Sequence, residues 1–271
     1  MVMNLESMTQ TRENVHRQRK RQLEMEAITR VLAPIAKKTE HADCNVLEFG
    51  AGDGFQVSYL RQFGRVTALD LAIRDSLASL PDIKTVACNI MHTPFLNGFF
   101  DLIFSNHVIE HLENLPEAFR ELHRVGSPDC VYAFSVPTNF WLLLSVPAQY
   151  WNKIRRIFNK QAVPAAADPI RKNSGSRKNA GHKKPFPSAW MIHGHGADEN
   201  FLTCYRQFRI KSWQSLFMRY GFKILKIQPL LLYGPSECPV IPTISASWTR
   251  GLCSSVLFVM KKSPAQSGAA A

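Results

Sequence analysis

Nine consecutive residues constrain this chain most: Val46-Leu47-Glu48-Phe49-Gly50-Ala51-Gly52-Asp53-Gly54 reads as a buried strand that runs into a glycine turn at the start of a helix. Glycine tolerates positive φ and has no Cβ, so backbone amides in such a turn can approach a ligand closely while the following helix offers its positive end. The turn therefore suits a small anionic or nucleotide-like ligand. The next strand, Arg65-Val66-Thr67-Ala68-Leu69, ends in Asp70, one βα unit later, where a carboxylate can accept hydrogen bonds from a ribose diol.

Dinucleotides and S-adenosylmethionine both fit a first glycine turn with an acid closing the second strand. The dinucleotide fingerprint is G-x-G-x-x-G, whereas the glycines here, at 50, 52 and 54, give G-x-G-x-G, with Glu48 ahead and Asp53 inside. This pattern resembles motif I of the class I S-adenosylmethionine-dependent methyltransferases, and an acidic loop suits a cofactor with a cationic amino group better than a pyrophosphate. The resemblance continues through Ala87-Cys88-Asn89-Ile90 and Met91-His92-Thr93-Pro94-Phe95 to the run Phe99 to Leu112, and is to the small-molecule and quinone-biosynthesis type. It implies roles for Glu48, Gly50, Gly52, Asp53 and Gly54 around the methionine moiety and for Asp70 at the ribose. It further implies Asn89 and Ile90 at adenine, although the family more often has Asp at position 89, and Asn106 and His107 at the methionine end of the pocket.

The order of elements supports the same architecture. Apolar strands are expected at 45–49, 65–70, 83–87, 100–105 and 130–136, alternating with helical segments such as Leu115 to Val125, which Gly126-Ser127-Pro128-Asp129 is expected to end as a stop and turn. Alternation of this kind predicts an α/β fold: a Rossmann-like, mostly parallel sheet with helices on both faces. A helix Ser212 to Tyr220 and strands Phe222 to Ile227 and Ser255 to Met260 follow, and the resemblance implies that these strands complete seven as an antiparallel pair. The chain divides accordingly into a basic N-terminal helical cap (1–40), a cofactor core (41–138), a lid-like insertion after the fifth strand that sets acceptor specificity (139–210), a completing helix and strand pair (211–262) and a loose tail (263–271). The cap carries apolar positions Val15, Leu23, Ile28, Val31 and Leu32 ahead of Pro34.

The insertion opens with the aromatic-flanked apolar run Asn139 to Trp151, and residues 152–184 then carry ten Lys/Arg against the single acid Asp168, most of the chain's net charge of +12. Two readings stay open. One is an apolar lid that admits a lipid-like acceptor and rests peripherally on an anionic membrane surface; the other is a packed helix followed by a solvated loop. No aromatic-interleaved basic strand accompanies the charge, which argues against nucleic acid as partner. Residues 190–200 gather His193, His195, Asp198 and Glu199. His193 is a candidate, with His107, to take a proton from the acceptor; a loop of backbone-bonded histidines is the alternative. The spacing matches no zinc pattern, so no metal is expected. His107-Val108-Ile109-Glu110-His111 matches an inverted zinc-protease motif, but it directly follows an apolar strand instead of lying within a long helix.

No apolar run reaches the roughly 18 to 20 residues needed to span a bilayer, the first ten residues lack a signal-peptide pattern, and the six cysteines form no C-x-x-C pair. A cytoplasmic enzyme with free, buried thiols is the expectation. The resemblance implies methyl transfer from S-adenosylmethionine to a small-molecule or lipid-like acceptor, with an RNA or protein methyltransferase, or a cofactor-binding protein without turnover, as the alternatives.

Overall fold

The computed structural model describes residues 5–36, 44–147, 200–233, 243–245 and 252–264. Its centre is a seven-stranded sheet in which β1 (Asn45–Phe49), β2 (Arg65–Asp70), β3 (Lys84–Ala87), β4 (Phe100–Asn106) and β5 (Gly126–Pro137) run parallel. The strand order is β3-β2-β1-β4-β5-β9-β6, with β6 (Phe222–Pro229) at the far edge and β9 (Ser255–Lys262) antiparallel to both of its neighbours. The final pair is therefore antiparallel, as the resemblance implied. A short ladder, β7 (Leu231–Leu232) with β8 (Ile244–Ser245), lies between these two strands in the chain.

Period-two alternation sends side chains to two separate cores. On one face Leu47, Phe49, Ile103, Tyr132, Phe134 and Phe258 pack with α4 (Leu115–Val125) and α7 (Ile210–Arg219) through Phe119, Leu122, Trp213 and Phe217. On the other, Val46, Ala68, Phe104, Ala133, Leu257 and Val259 meet α2 (Val57–Leu60) and α1 (Leu5–Ala36). The helix α1 docks through Met25, Ile28, Val31 and Leu32, at helical spacing. Val15 is 60% exposed and is not part of that stripe. Leu77 of the short helix α3 (Asp75–Ala78) closes the same core.

Local chemistry starts α4 cleanly. The Asn114 side-chain oxygen, Oδ1, accepts the Glu117 amide at 3.2 Å, its Nδ2 donates to Glu117 Oε2 at 2.9 Å, and Pro116 sits in the first turn where no donor is needed. Its end falls where the sequence puts it, at Val125 with Gly126 next, but a strand follows in place of the expected turn. Gly126 does not stop the helix in a left-handed turn; it lies at φ −75, ψ 139 and is already the first residue of β5, paired with Phe100. The glycine serves a close approach instead, since a Cβ there would stand 2.3 Å from the Tyr132 hydroxyl oxygen.

After β5 a further helix, α5, is described over residues 139–147, and α6 (Phe201–Gln207) returns the chain to α7. The Asn200 side chain caps α6 by accepting from the Leu202 and Thr203 amides. The basic run 152–184 and the histidine loop 190–199, with His193, lie outside the described residues, as does Cys238. The other five cysteines form no disulfide among the described residues, and Cys44, Cys130, Cys204 and Cys253 are buried. Among the described residues, no helix is long and apolar enough to cross a membrane.

Candidate cofactor and acceptor site

The site forms at the carboxyl ends of β1, β2 and β4, where the chain order reverses across the sheet. All three predicted glycines have positive φ, at +73, +59 and +80 for Gly50, Gly52 and Gly54, but they serve different ends. A Cβ on Gly50 would lie 2.3 Å from Val108 Cγ2, and one on Gly54 would lie 2.8 Å from Leu80 Cδ1. A Cβ on Gly52 would meet nothing within 4 Å. Two glycines thus let neighbours pack against the turn, while the middle one borders open space.

Backbone bonds tie the turn to β2. The amides of Gly50 and Ala51 donate to the Leu69 carbonyl at 2.8 and 3.1 Å, and the Gly52 amide donates to Asp70 Oδ2 at 2.8 Å. Asp70 therefore braces the turn. Asn89 folds its own loop, its Oδ1 accepting the Met91 amide at 3.0 Å, and Ile90 is 4% exposed in the core beneath.

Glu48 is buried at 1% exposure, and its Oε2 has no hydrogen-bond partner. Burial drives its carboxyl up to about 8, Asp53 and Asp70 push the same way, and Arg21 opposes them. The group is therefore largely neutral at pH 7 and can donate a hydrogen bond. Asn106 Oδ1 is likewise buried without a partner. Two orphaned buried oxygens and an open face at Gly52 fit a polar ligand with several donors and acceptors, as the S-adenosylmethionine tail is.

The helix α1 supplies residues that the sequence reading did not nominate. Arg21 Nη1 and Nη2 each reach an Asp53 carboxylate oxygen at 2.6 Å, and the guanidinium lies 4.4 Å from the Phe55 ring centre. That hydrogen bonding holds the Asp53 carboxyl below its usual range against the opposing effect of burial. Three residues further along the helix, Glu24 is 1% exposed and accepts from Ser255 Oγ at 2.5 Å. Its Oε1 stands 3.4 Å from His107 Nε2, and its Oε2 stands 3.5 Å from Asn106 Nδ2. The signal for both residues was present in the helix: position 21 continues the 25, 28, 32 stripe toward its start and position 24 continues the 28, 31 stripe, so a charge sits on the docking face.

His107 is the hub of this cluster. It has φ +56, its amide donates to the Ser135 carbonyl at 2.9 Å, and its Nε2 is 3.2 Å from the Tyr233 hydroxyl. Its Nδ1 lies 3.5 Å from Glu110 Oε1, an ion-pair distance without hydrogen-bond geometry. Burial opposes the charged ring, but the Glu24 charge, with contributions from Glu110, outweighs it and raises the group to about 9. In the same pair burial acts to raise the Glu24 carboxyl, yet His107, Lys20 and Ser255 bring it down to about 2. The two carboxylates thus favour the imidazolium form of His107. A free lone pair for general-base work, the role expected from the sequence, is not what this arrangement holds ready.

The zinc-protease reading of the same run also loses its geometry. A single 3₁₀ turn, Ile109–His111, follows His107, so His107 and His111 do not share one face of an α-helix. Lys20 completes the surroundings with its ammonium 4.3 Å from the Tyr233 ring centre. A separate surface depression lined by Arg209, Lys211, Ser212, Ser215, Leu216 and Arg219 contains none of these residues.

Comparison with known proteins agrees with the geometry. Residues 47–134 match a family described as a methyltransferase domain. The malonyl-[acyl-carrier protein] O-methyltransferase of Pectobacterium atrosepticum is 30% identical over 148 residues, which cover 51% of this chain and 57% of that protein. The protein of the same description from Pseudescherichia vulneris is 34% identical over 105 residues, covering 37% and 42% respectively. The chain spans about half the length of the curated relatives it matches. A solved S-adenosylmethionine-dependent methyltransferase from Thermotoga maritima superimposes with a TM-score of 0.51 at 14% identity, covering 95% of this chain and 96% of that one. The Burkholderia thailandensis 1,6-didemethyltoxoflavin-N1-methyltransferase, solved with S-adenosylhomocysteine, does so with 0.50 at 16% identity, covering 88% and 79%. These two share the fold. With the glycine turn, the braced Asp70 and the matched domain together, residues 47–134 are a methyltransferase domain with the features of the class I S-adenosylmethionine-dependent type.

Proposed function

We propose that this chain transfers the methyl group of S-adenosylmethionine to a carboxylate oxygen of a small acyl thioester, of the malonyl kind, carried by a protein or by coenzyme A. The observation that carries the proposal is the setting of His107, whose two ring nitrogens lie 3.4 Å from Glu24 Oε1 and 3.5 Å from Glu110 Oε1, an arrangement that favours the protonated ring. A phenol or an ammonium must lose a proton before it can attack, whereas a carboxylate is already a nucleophile at neutral pH. The described histidine nearest the turn holds a proton, in keeping with an anionic acceptor that needs orientation and charge complement. The names of the two curated relatives above, malonyl-[acyl-carrier protein] O-methyltransferases, support the same acceptor class.

Within this reading the glycine turn and Glu48, with its neutral carboxyl, hold the methionine end together with Asp53 and Asn106. Asp70 takes the ribose, and Asn89 and Ile90 the adenine. The cofactor, when bound, supplies an electrophilic sulfonium methyl. The chain's own contribution is then alignment and exclusion of water: α1 covers the turn through Arg21 and is anchored beside it by Glu24. His193 remains the candidate for proton handling should the acceptor need to lose one. A lipid-like acceptor and peripheral contact with an anionic membrane remain the second use proposed for the insertion.

The test is incubation of the full chain with methyl-labelled S-adenosylmethionine and malonyl-coenzyme A or malonyl-acyl carrier protein. The expected product is a methyl ester whose label is released as methanol by mild alkali, formed at a rate that changes little between pH 6 and 8. Absence of ester with both thioesters, together with label entering a phenol or amine at a rate that climbs with pH, would reject the carboxylate acceptor.

A further inference from the structure

Arg21 and Asp53 form a complete guanidinium–carboxylate pair at the glycine turn, beside the one glycine that borders open space. Both side chains keep solvent access, at 26% and 40%. The guanidinium also lies over the Phe55 ring, a second favourable contact beside Asp53. A ligand with an amino-acid tail brings the mirror image of this pair, an ammonium and a carboxylate held a few bonds apart.

Resting on the cofactor reading above, we propose that Arg21 is a specificity-determining residue that binds the α-carboxylate of the cofactor's amino-acid tail, with Asp53 taking the adjacent α-ammonium. The zwitterion then enters by exchange of partners: one resident ion pair gives way to two, so both protein charges have a counter-charge before and after binding. Such an exchange costs less than inserting a zwitterion into an apolar pocket, because the polar groups of the site are oriented before the ligand arrives. It also explains why a basic helix from outside the matched domain is laid across the turn. Arg21 lies 32 residues before Asp53, on the same docked helix whose Glu24 is locked to His107 and Ser255, so the guanidinium is placed by a rigid element. Arginine suits this task better than lysine, since its planar fork can grip a carboxylate through two parallel N–H donors.

The experiment compares the full chain with Arg21→Met and Arg21→Lys by calorimetric titration with three ligands. These are S-adenosylhomocysteine, its decarboxylated amine, and 5′-methylthioadenosine, which has neither charge. Arg21→Met retains the aliphatic packing on Phe55 and is expected to weaken S-adenosylhomocysteine about 10- to 100-fold, the effect of losing charge-assisted hydrogen bonds, with Arg21→Lys between the two. 5′-Methylthioadenosine should bind parent and variants within about twofold, and the decarboxylated amine should bind Arg21→Met at least as tightly as the parent, since neither offers the carboxylate and the variant leaves Asp53 free for the ammonium. Equal affinity of parent and Arg21→Met for S-adenosylhomocysteine would overturn the assignment of Arg21 alone. An equal loss for all three ligands would overturn it too, because Arg21 would then act by holding α1 in place. Failure of the parent to bind any of the three would instead reject the cofactor reading itself.

Discussion

Replacing Glu24 with Ala is expected to lower the unfolding free energy by about 3 kcal/mol, the low end of the cost of removing one partner of a buried ion pair. The low end applies because His107 is 27% exposed, keeps Glu110 beside it and can shed its proton once Glu24 is gone. Glu24 itself is the costly group to bury. Its carboxylate is tolerated inside α1 because it meets the His107 ring, the Ser255 hydroxyl and the Asn106 amide together.

The pH dependence has its origin in the same pair. His107 is raised from 6.5 to about 9 on folding, so the stability it contributes is complete below pH 6.5 and is lost as pH rises through 9. Glu24 is lowered from 4.5 to about 2, so its contribution is complete above pH 4.5 and is lost as pH falls through 2. The two describe one interaction, strongest between about pH 4.5 and 6.5. Urea unfolding at pH 6 and pH 9 should therefore show the parent losing stability on the alkaline side, and Glu24→Gln, which keeps the shape without the charge, losing much less. Parallel pH profiles for parent and Glu24→Gln would show that α1 is held by its apolar stripe alone.

What could be read in the sequence and what could not divide along a physical line. The glycine turn, the acid at Asp70 and the alternation of strands and helices depend on φ preference and on side-chain period within a few residues, and the structure has them where the sequence puts them. Gly126 ends α4 as expected, but a strand and not a turn follows it, because glycine answers two needs, positive φ and close approach, and only the position of Tyr132 decides between them. The electrostatic partners of the site were the least legible. His107 meets Glu24 across 83 positions, Tyr233 across 126, and Glu24 meets Ser255 across 231. A histidine in isolation reads as a base of ordinary pKa, and nothing adjacent in the chain announces the carboxylate that keeps it charged. The charged residues on the apolar stripe of α1 were the trace left in the sequence, since a lone acid on a docking face requires a buried partner.

Gly52 provides the sharpest separation between a turn that only changes direction and one that cradles a ligand. Gly52→Ala and Gly52→Leu both place a Cβ at φ +59, so both carry the same left-handed backbone cost of about 1 to 2 kcal/mol. Neither Cβ meets another atom of the protein within 4 Å. The two variants should accordingly unfold at similar urea concentrations, modestly below the parent. Their affinities for S-adenosylhomocysteine should part, because the leucine side chain extends into the open space where the ligand is proposed to sit. Calorimetry is expected to show Gly52→Leu weakened about 100-fold relative to Gly52→Ala, near the upper end of what overpacking by about 3 kcal/mol does to an equilibrium. Gly50 supplies the contrast. A Cβ there collides with Val108 inside the fold, so Gly50→Ala should lose stability and affinity together, with the β4 connection displaced from the turn. If Gly52→Leu bound as well as Gly52→Ala, the space before Gly52 would be solvent and the cofactor would have to lie elsewhere along the carboxyl edge of the sheet.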